Sequence, residues 1–265
     1  MLHEFDFTGQ DFGRVRALIS SYAGIALHER KENMVYNRLA RRLRATGVEN
    51  FRDYLDWVER PGSEERERFV NALTTNLTAF FREAHHFDLL AERARRHCGE
   101  RLRVWSSACS TGEEPYSAAM ALRAAGRTGE ILATDIDTEA LATARRAVYR
   151  QEAMERAGGE ALQQHFLRGT GANASQVLVR PEVRAMVQFA WRNLLAADWP
   201  AGERFDAVFC RNVMIYFDRP TQQRLLARLA GVLAPGGLLF LGHSENVATS
   251  HPAFRACGKT AYERR

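Results

Sequence analysis

Five short runs rich in Val, Ile, Leu and Phe lie at Arg101–Ala108, Glu130–Asp135, Val187–Asn193, Phe205–Asn212 and Gly237–Gly242, and none precedes residue 100. Helical patterns such as Pro115–Ala125 and Thr138–Tyr149 fill the gaps between most of them. Strands that alternate with helices have to be joined by crossovers. Such a chain folds as a mostly parallel sheet with helices on both faces. One segment breaks the rhythm. In Gln163–Val183 the turn-forming stretch Gly169-Thr170-Gly171-Ala172-Asn173 separates two strand-like pieces, which predicts an inserted β-hairpin.

The first 75 residues follow a different rule. Apolar residues at helical spacing predict helices over Asp11–Ala26, Glu32–Thr46, Phe51–Val58 and Glu64–Leu73, with Gly24 and Gly47 as stops. This portion holds twelve Lys/Arg and twelve Asp/Glu, so it is neutral overall. Yet Arg30, Lys31, Arg38, Arg41, Arg42 and Arg44 share one stretch with a single acid, Glu32. A basic helix beside compensating acids suggests a docking face for something anionic. A solvated helix face would carry the same pattern.

Composition removes several classes. Hydrophobic content of 46% and charged content of 26% are those of a globular chain. The apolar runs fall far short of the ~20 residues needed to cross a bilayer. Cys98, Cys109, Cys210 and Cys257 stand far apart with no C-x-x-C, which speaks against a disulfide framework or a zinc cage. A soluble, reduced, cytoplasmic protein is expected.

In an open parallel sheet, ligands bind beyond the carboxyl ends of the strands. After the first strand comes Cys109-Ser110-Thr111-Gly112-Glu113-Glu114-Pro115-Tyr116-Ser117. The lone glycine fails G-x-G-x-x-G, and carboxylates at a helix start would repel a pyrophosphate. They suit a cationic ligand, an α-ammonium or a sulfonium. After the second strand comes Asp135-Ile136-Asp137, where an acid commonly accepts both hydroxyls of a ribose. Together these acids point to a nucleoside with a positively charged amino-acid tail, which describes S-adenosylmethionine. Either acid could instead cap the helix that follows it.

Longer motifs carry a resemblance. Leu73-Thr74-Thr75-Asn76-Leu77-Thr78-Ala79-Phe80-Phe81-Arg82-Glu83 is followed by Val104-Trp105-Ser106, Ser110 to Ser117, and Ala133-Thr134-Asp135-Ile136-Asp137. Phe209-Cys210-Arg211-Asn212-Val213-Met214-Ile215-Tyr216-Phe217-Asp218 and Gly242-His243-Ser244-Glu245 complete the series. In that order, over essentially the whole chain, they resemble the chemotaxis-receptor glutamate O-methyltransferases, the CheR family. The resemblance implies an α/β fold: a Rossmann-like class I S-adenosylmethionine-dependent methyltransferase sheet at 76–265. With it come a small all-helical N-terminal receptor-docking domain at 1–75 and an inserted antiparallel β-subdomain at about 162–186.

It also implies roles. Asn76, Thr78 and Arg82, on the segment joining the two parts, would contact the cofactor. Glu114, favoured over Glu113, would hold the methionyl ammonium, and Asp135 the ribose hydroxyls. Asn193 and Leu194 would flank the adenine, and Arg211 and Asn212 would complete the pocket. Arg82 and Tyr216 would meet the reacting carboxylate. Arg38, Arg41, Arg42 and Arg44 would dock the cytoplasmic helices of methyl-accepting chemoreceptors, with Arg38, Arg41 and Arg42 on one stripe. The β-subdomain could take a receptor's C-terminal pentapeptide as an added strand, with Arg168, Arg180 and Arg184 near it. The enzyme would be recruited to membrane receptor arrays without inserting into the bilayer.

No metal is expected, because adjacent His85 and His86 should point different ways. Cys210, Trp105 and Trp191 are expected in the core, and His243 is expected to be structural. A nucleic-acid methyltransferase is the rival reading, against which stand the neutral N-terminal portion and the missing base-methylation motifs. A cofactor-binding scaffold without activity is the third.

Overall fold

The computed structural model describes residues 4–96, 101–156, 158–159, 163–197, 199, 204–245 and 251–265. Cys98 and the first residue of the predicted insertion, Leu162, lie outside them.

Among the described residues the N-terminal part is built on four α-helices, α1 (Gly9–Ala23), α2 (Glu32–Thr46), α3 (Phe51–Glu59) and α4 (Glu65–Leu73), with a single 3-10 turn at Glu29–Lys31 leading into α2. Thr8 and Asp11 close a capping box on α1, and Asn50 caps α3. Gly24 and Gly47 stop α1 and α2 in the left-handed region, at φ 70° and 73°. The apolar stripes of the four helices close on Val15, Ile19, Leu39, Leu43, Phe51 and Phe69, all essentially buried. One ion pair lies in that interface. Arg42 meets Glu65 through two bonds of 2.8 and 2.9 Å, and the Tyr54 hydroxyl donates to the same carboxylate at 2.9 Å.

The larger part follows α5 (His85–Arg96). Its elements are β1 (Leu102–Ser106), α6 (Glu113–Ala124), β2 (Gly129–Asp135), α7 (Thr138–Arg146), β3 (Val148–Arg150), α8 (Gln151–Arg156), β4 (Phe166–Arg168), β5 (Gln176–Val179) and α9 (Pro181–Arg184). They continue with β6 (Val187–Trp191), β7 (Phe205–Cys210), α10 (Arg219–Val232), β8 (Leu233–Leu241), β9 (Phe254–Gly258) and β10 (Ala261–Arg264). The main sheet has the order β6-β2-β1-β7-β8-β10-β9. Every pairing from β6 to β8 is parallel, and β10 runs antiparallel to both neighbours. From β1 the chain moves out through β2 to β6, then returns to β7 on the other side. The switch point therefore falls between β1 and β7, where a crevice must open.

The five predicted strands are present, and β9 and β10 add to them. The insertion is larger than the hairpin read from Gln163–Val183. It is a three-stranded antiparallel sheet, β3-β5-β4, whose first strand comes from the predicted helix Thr138–Tyr149. That helix ends at Arg146 because Ala147 turns left-handed at φ 56°, and Val148–Arg150 then pairs with β5. Tyr149 anchors the turn, its hydroxyl donating to the Thr111 carbonyl at 2.7 Å.

Trp105 and Cys210 are buried as expected. Trp191 is not: it is 55% exposed at the end of edge strand β6, its indole N–H donating to the Ile136 carbonyl at 2.9 Å. An edge strand has one side without a neighbour, so its apolar residues are only partly covered.

Candidate functional site

A cavity of about 470 Å³ opens over the carboxyl ends of β1, β2, β6 and β7. Its other wall comes from the helical part: Ala23, Ile25 to His28, Lys31 and Met34. Three joints hold the two walls together. Asn71 and Glu67 on α4 bond to the Thr138 hydroxyl at 2.8 and 2.7 Å. The Ala26 N–H donates to the Tyr216 carbonyl, and the Asn193 amide donates to the Tyr22 carbonyl, both at 2.8 Å.

Asn76, Thr78, Arg82, Glu114, Asp135, Asn193, Leu194, Arg211, Asn212 and Tyr216 all line this one cavity. Glu113 does not; its carboxylate accepts from the Thr111 hydroxyl at 2.6 Å. The difference follows from the helix, since consecutive residues of α6 point about 100° apart.

Glu114 lies at the start of α6, 8% exposed. Its carboxylate accepts from the Ser106 hydroxyl at 2.7 Å and from the Arg211 guanidinium at 3.0 Å. Burial pushes its pKa up, and Arg211 and Ser106 work against that rise. Arg211 is itself buried. It also donates to the Arg82 carbonyl and stands 3.6 Å from Glu83. One guanidinium thus ties the Glu114 carboxylate to the main chain of Arg82.

Asp135 ends β2 and is 9% exposed. It accepts from the Ser110 N–H at 2.7 Å and from the Asp137 N–H at 2.9 Å. Burial moves its carboxyl up to about 6, although both N–H groups oppose the shift. Asp137 is the helix cap of the pair. Its carboxylate caps α7 through Glu139 and Ala140, and also takes bonds from Thr74 and Asn76 at 2.5 and 2.6 Å. The capping reading therefore belongs to Asp137, and Asp135 faces the cavity.

The backbone around the cavity is bent. Phe81, Glu83, Ser110 and Asn212 have φ of 51°, 58°, 50° and 57°, left-handed values for residues other than glycine. Such conformations persist only where their surroundings hold them. Ser117 accepts the Phe81 N–H at 2.9 Å. Glu245, which closes the Gly242-His243-Ser244-Glu245 motif but has no role assigned from sequence, holds the other side. Its buried carboxylate accepts from the N–H groups of Asn212, Gly242 and Ile215 at 2.8, 2.6 and 3.3 Å. A lone acid four residues beyond a strand gives little signal of its role, even within a G-x-x-E motif, because its partners are backbone groups.

Of the four docking candidates, none lines the cavity. Arg38 donates to the carbonyls of Leu73 and Thr74, holding the linker against α2. Arg42 pairs with Glu65, and Arg44 with Glu4 at 2.8 Å. Arg38 and Arg42 thus share the face turned toward α4, and the predicted stripe of Arg38, Arg41 and Arg42 divides. Arg41 is exposed.

His85 and His86 do not diverge as adjacency suggested. Both Nε2 atoms meet the Lys259 carbonyl, at 3.0 and 3.1 Å. With Glu83 they bring donor atoms within 4.8 Å of one another, beside the Arg211 guanidinium. Burial, and then the Arg211 charge, lower His86 to about 3.

The cavity fits an amino-acid nucleoside. It offers a buried acid beside a buried base for an α-ammonium and α-carboxylate, and a second buried acid 21 residues further on for a ribose. With the sheet order and the single antiparallel strand, these features define a Rossmann-like class I S-adenosylmethionine-dependent methyltransferase with an all-helical N-terminal domain.

Residues 76–263 match the family model described as the CheR methyltransferase SAM binding domain, and residues 10–74 match the CheR methyltransferase all-alpha domain. The chain belongs to the CheR methyltransferase family. It is 51% identical to the chemotaxis protein methyltransferase of Klebsiella aerogenes, over 99% of this chain and 92% of that one. It is 52% identical to that of Escherichia coli K12, over 95% and 89%. With chemotaxis protein methyltransferase 2 of Pseudomonas aeruginosa it shares 50%, over 98% and 94%.

Proposed function

We propose that the chain transfers a methyl group from S-adenosylmethionine to glutamate side chains of chemoreceptors, as a protein-glutamate O-methyltransferase in chemotaxis. One observation carries this reading. Arg82 and Tyr216, the two residues suited to holding a carboxylate, line the same cavity as Glu114 and Asp135.

When bound, S-adenosylmethionine supplies a methyl group activated on sulfonium. Glu114 receives the α-ammonium and Asp135 the ribose hydroxyls, while Asn193 and Leu194 flank the base. Arg211 and Asn212 close the amino-acid end, and Asn76 and Thr78 border it from the linker. A glutamate of ordinary pKa, about 4.3, is ionised at neutral pH, so no side chain has to act as base. The protein's task is alignment and partial removal of water. Arg82 orients the incoming carboxylate through charge-assisted bonds and Tyr216 through its hydroxyl. The Arg82 guanidinium also donates to the Leu77 carbonyl at 2.8 Å, which limits how tightly it can hold the nucleophile.

The helical domain, residues 1–75, docks receptor helices. Of its four docking arginines Arg41 and Arg44 point outward, and Arg38 and Arg42 support the surface from within. The free edge of β4 in the three-stranded sheet takes a receptor's C-terminal pentapeptide by strand addition, and this tether recruits the enzyme to receptor arrays. Gly169 ends that strand in a tight turn, because a Cβ there would run into the Asn173 carbonyl of the β4–β5 connection. Among the described residues no helix is long and apolar enough to cross a membrane.

The test is a wild-type reaction with radiolabelled S-adenosylmethionine and membranes bearing receptors. Label that is released by base as methanol supports the reading. Stable label, or label on glutamate-to-alanine receptors, removes it.

A further inference from the structure

Two large aliphatic side chains stand in water at the mouth of the cavity. Leu77 is 77% exposed and Ile215 52%. Both line the opening that Arg82 and Tyr216 line. Neither sits on a loose backbone. The Leu77 carbonyl accepts from the Arg82 guanidinium at 2.8 Å, so Leu77 is tied to Arg82. Ile215 precedes Tyr216, and its N–H donates to the buried Glu245 carboxylate at 3.3 Å. The bond that positions Arg82 therefore also fixes Leu77, and the bond that fixes Ile215 lies one residue from Tyr216 in the chain. Lys31, exposed and without an ion pair among the described residues, borders the opening too.

Single exposed aliphatics are ordinary on a protein surface, but a rigid pair around a reactive opening marks a contact surface. The geometry points to an apolar clamp: Leu77 and Ile215 grip the protein segment that presents the methyl-accepting carboxylate. This rests on the protein-glutamate reading above and adds the recognition chemistry. The occupant is a helical segment whose acceptor glutamate has aliphatic or small apolar residues at i±3 or i±4. On a helix those positions share a face with the glutamate and lie 5–6 Å from it. They rest on Leu77 and Ile215 when the carboxylate reaches Arg82 and Tyr216. Acids elsewhere on the segment suit Lys31. The clamp also has a chemical effect, since apolar contact at the mouth strips water from the nucleophile.

The experiment measures initial rates of methyl transfer to receptor membranes for wild type, Leu77→Gln, Ile215→Thr and the double variant. Affinity for S-adenosylhomocysteine is measured beside it by calorimetry. Each single variant is expected to raise KM for receptor about fivefold, and the double variant about twentyfold, with cofactor-product affinity unchanged. An aspartate placed at i+3 or i+4 of the acceptor glutamate should lower kcat/KM in wild type and have little further effect in the double variant. An unchanged receptor KM in the double variant overturns the clamp, as does an equal loss of S-adenosylhomocysteine affinity. A wild-type enzyme that methylates no receptor overturns the protein-glutamate reading and the clamp with it. Wild-type activity with unaffected variants overturns the clamp alone.

Discussion

Lowering the pH should loosen the cofactor's grip through one carboxyl group. Burial holds Asp135 up to about 6, so in the ligand-free protein it is mostly protonated at pH 5 and ionised above pH 7. Ribose hydroxyls donate hydrogen bonds and need the ionised form. For a single such group the apparent dissociation constant scales as one plus the ratio of protonated to ionised carboxyl. It is then about tenfold larger at pH 5 than at its plateau, and within about 5% of the plateau at pH 7.5.

The sign agrees with the linkage to folding. A carboxyl raised above its ordinary value of 3.8 makes the ligand-free fold less stable as pH climbs from about 4 to about 6. At neutral pH the cost is about 3 kcal/mol, which hydroxyl donors from a ligand would relieve. The assay is calorimetric titration with S-adenosylhomocysteine between pH 5 and 8, on wild type and Asp135→Asn. Wild type should show the tenfold slope. The variant should bind more weakly throughout and lose most of the slope. Glu114, raised by burial in the same direction, would contribute any remainder. A slope that came from any other group would persist in the variant. A flat wild-type profile, or an equal slope in Asp135→Asn, would refute the reasoning.

Glu114→Gln should weaken S-adenosylhomocysteine by about a hundredfold while leaving 5′-methylthioadenosine, which lacks the amino-acid tail, near its wild-type affinity; parallel titrations decide it. Arg42→Ala should destabilise the fold by about 3 kcal/mol in urea, because it leaves the Glu65 carboxylate, 5% exposed, without its cation and with only the Tyr54 hydroxyl. Arg41→Ala should leave the urea midpoint in place and raise only the KM for receptor. Gly242→Ala should lower turnover and cofactor affinity together, since its Cβ would fall 2.3 Å from the Asn212 amide and 2.8 Å from the Glu245 carboxylate. Wild-type kinetics in that variant would show that the Glu245 loop does not shape the site.

The parallel core was legible because buried strands such as Phe205–Cys210 are apolar over most of their length and are punctuated by helices. What was hidden depended on partners. Val148–Arg150 continues a helical pattern, and only the left-handed turn at Ala147 and the pairing with β5 make it a strand. Trp191 has the composition of core, yet its strand lies at an edge. Within the site, the choice between Glu113 and Glu114 is a matter of helix phase, which the sequence leaves open and the cavity lining separates. The arginine cluster misled in a related way. Charge counts cannot tell an outward guanidinium from one that, like Arg38 or Arg42, bonds inward to a linker carbonyl or a buried acid. Glu245 stood in a quoted motif without a role because the backbone N–H groups of two loops converge on it only after folding.

The most direct test of the central claim is transfer of labelled methyl from S-adenosylmethionine to receptor membranes, with tRNA and DNA in parallel tubes. The account predicts label on the receptor alone, released by mild base, and lost when Arg82 is replaced by Ala. Label on nucleic acid, or no transfer to a panel of receptors by protein that binds S-adenosylhomocysteine normally, would contradict it.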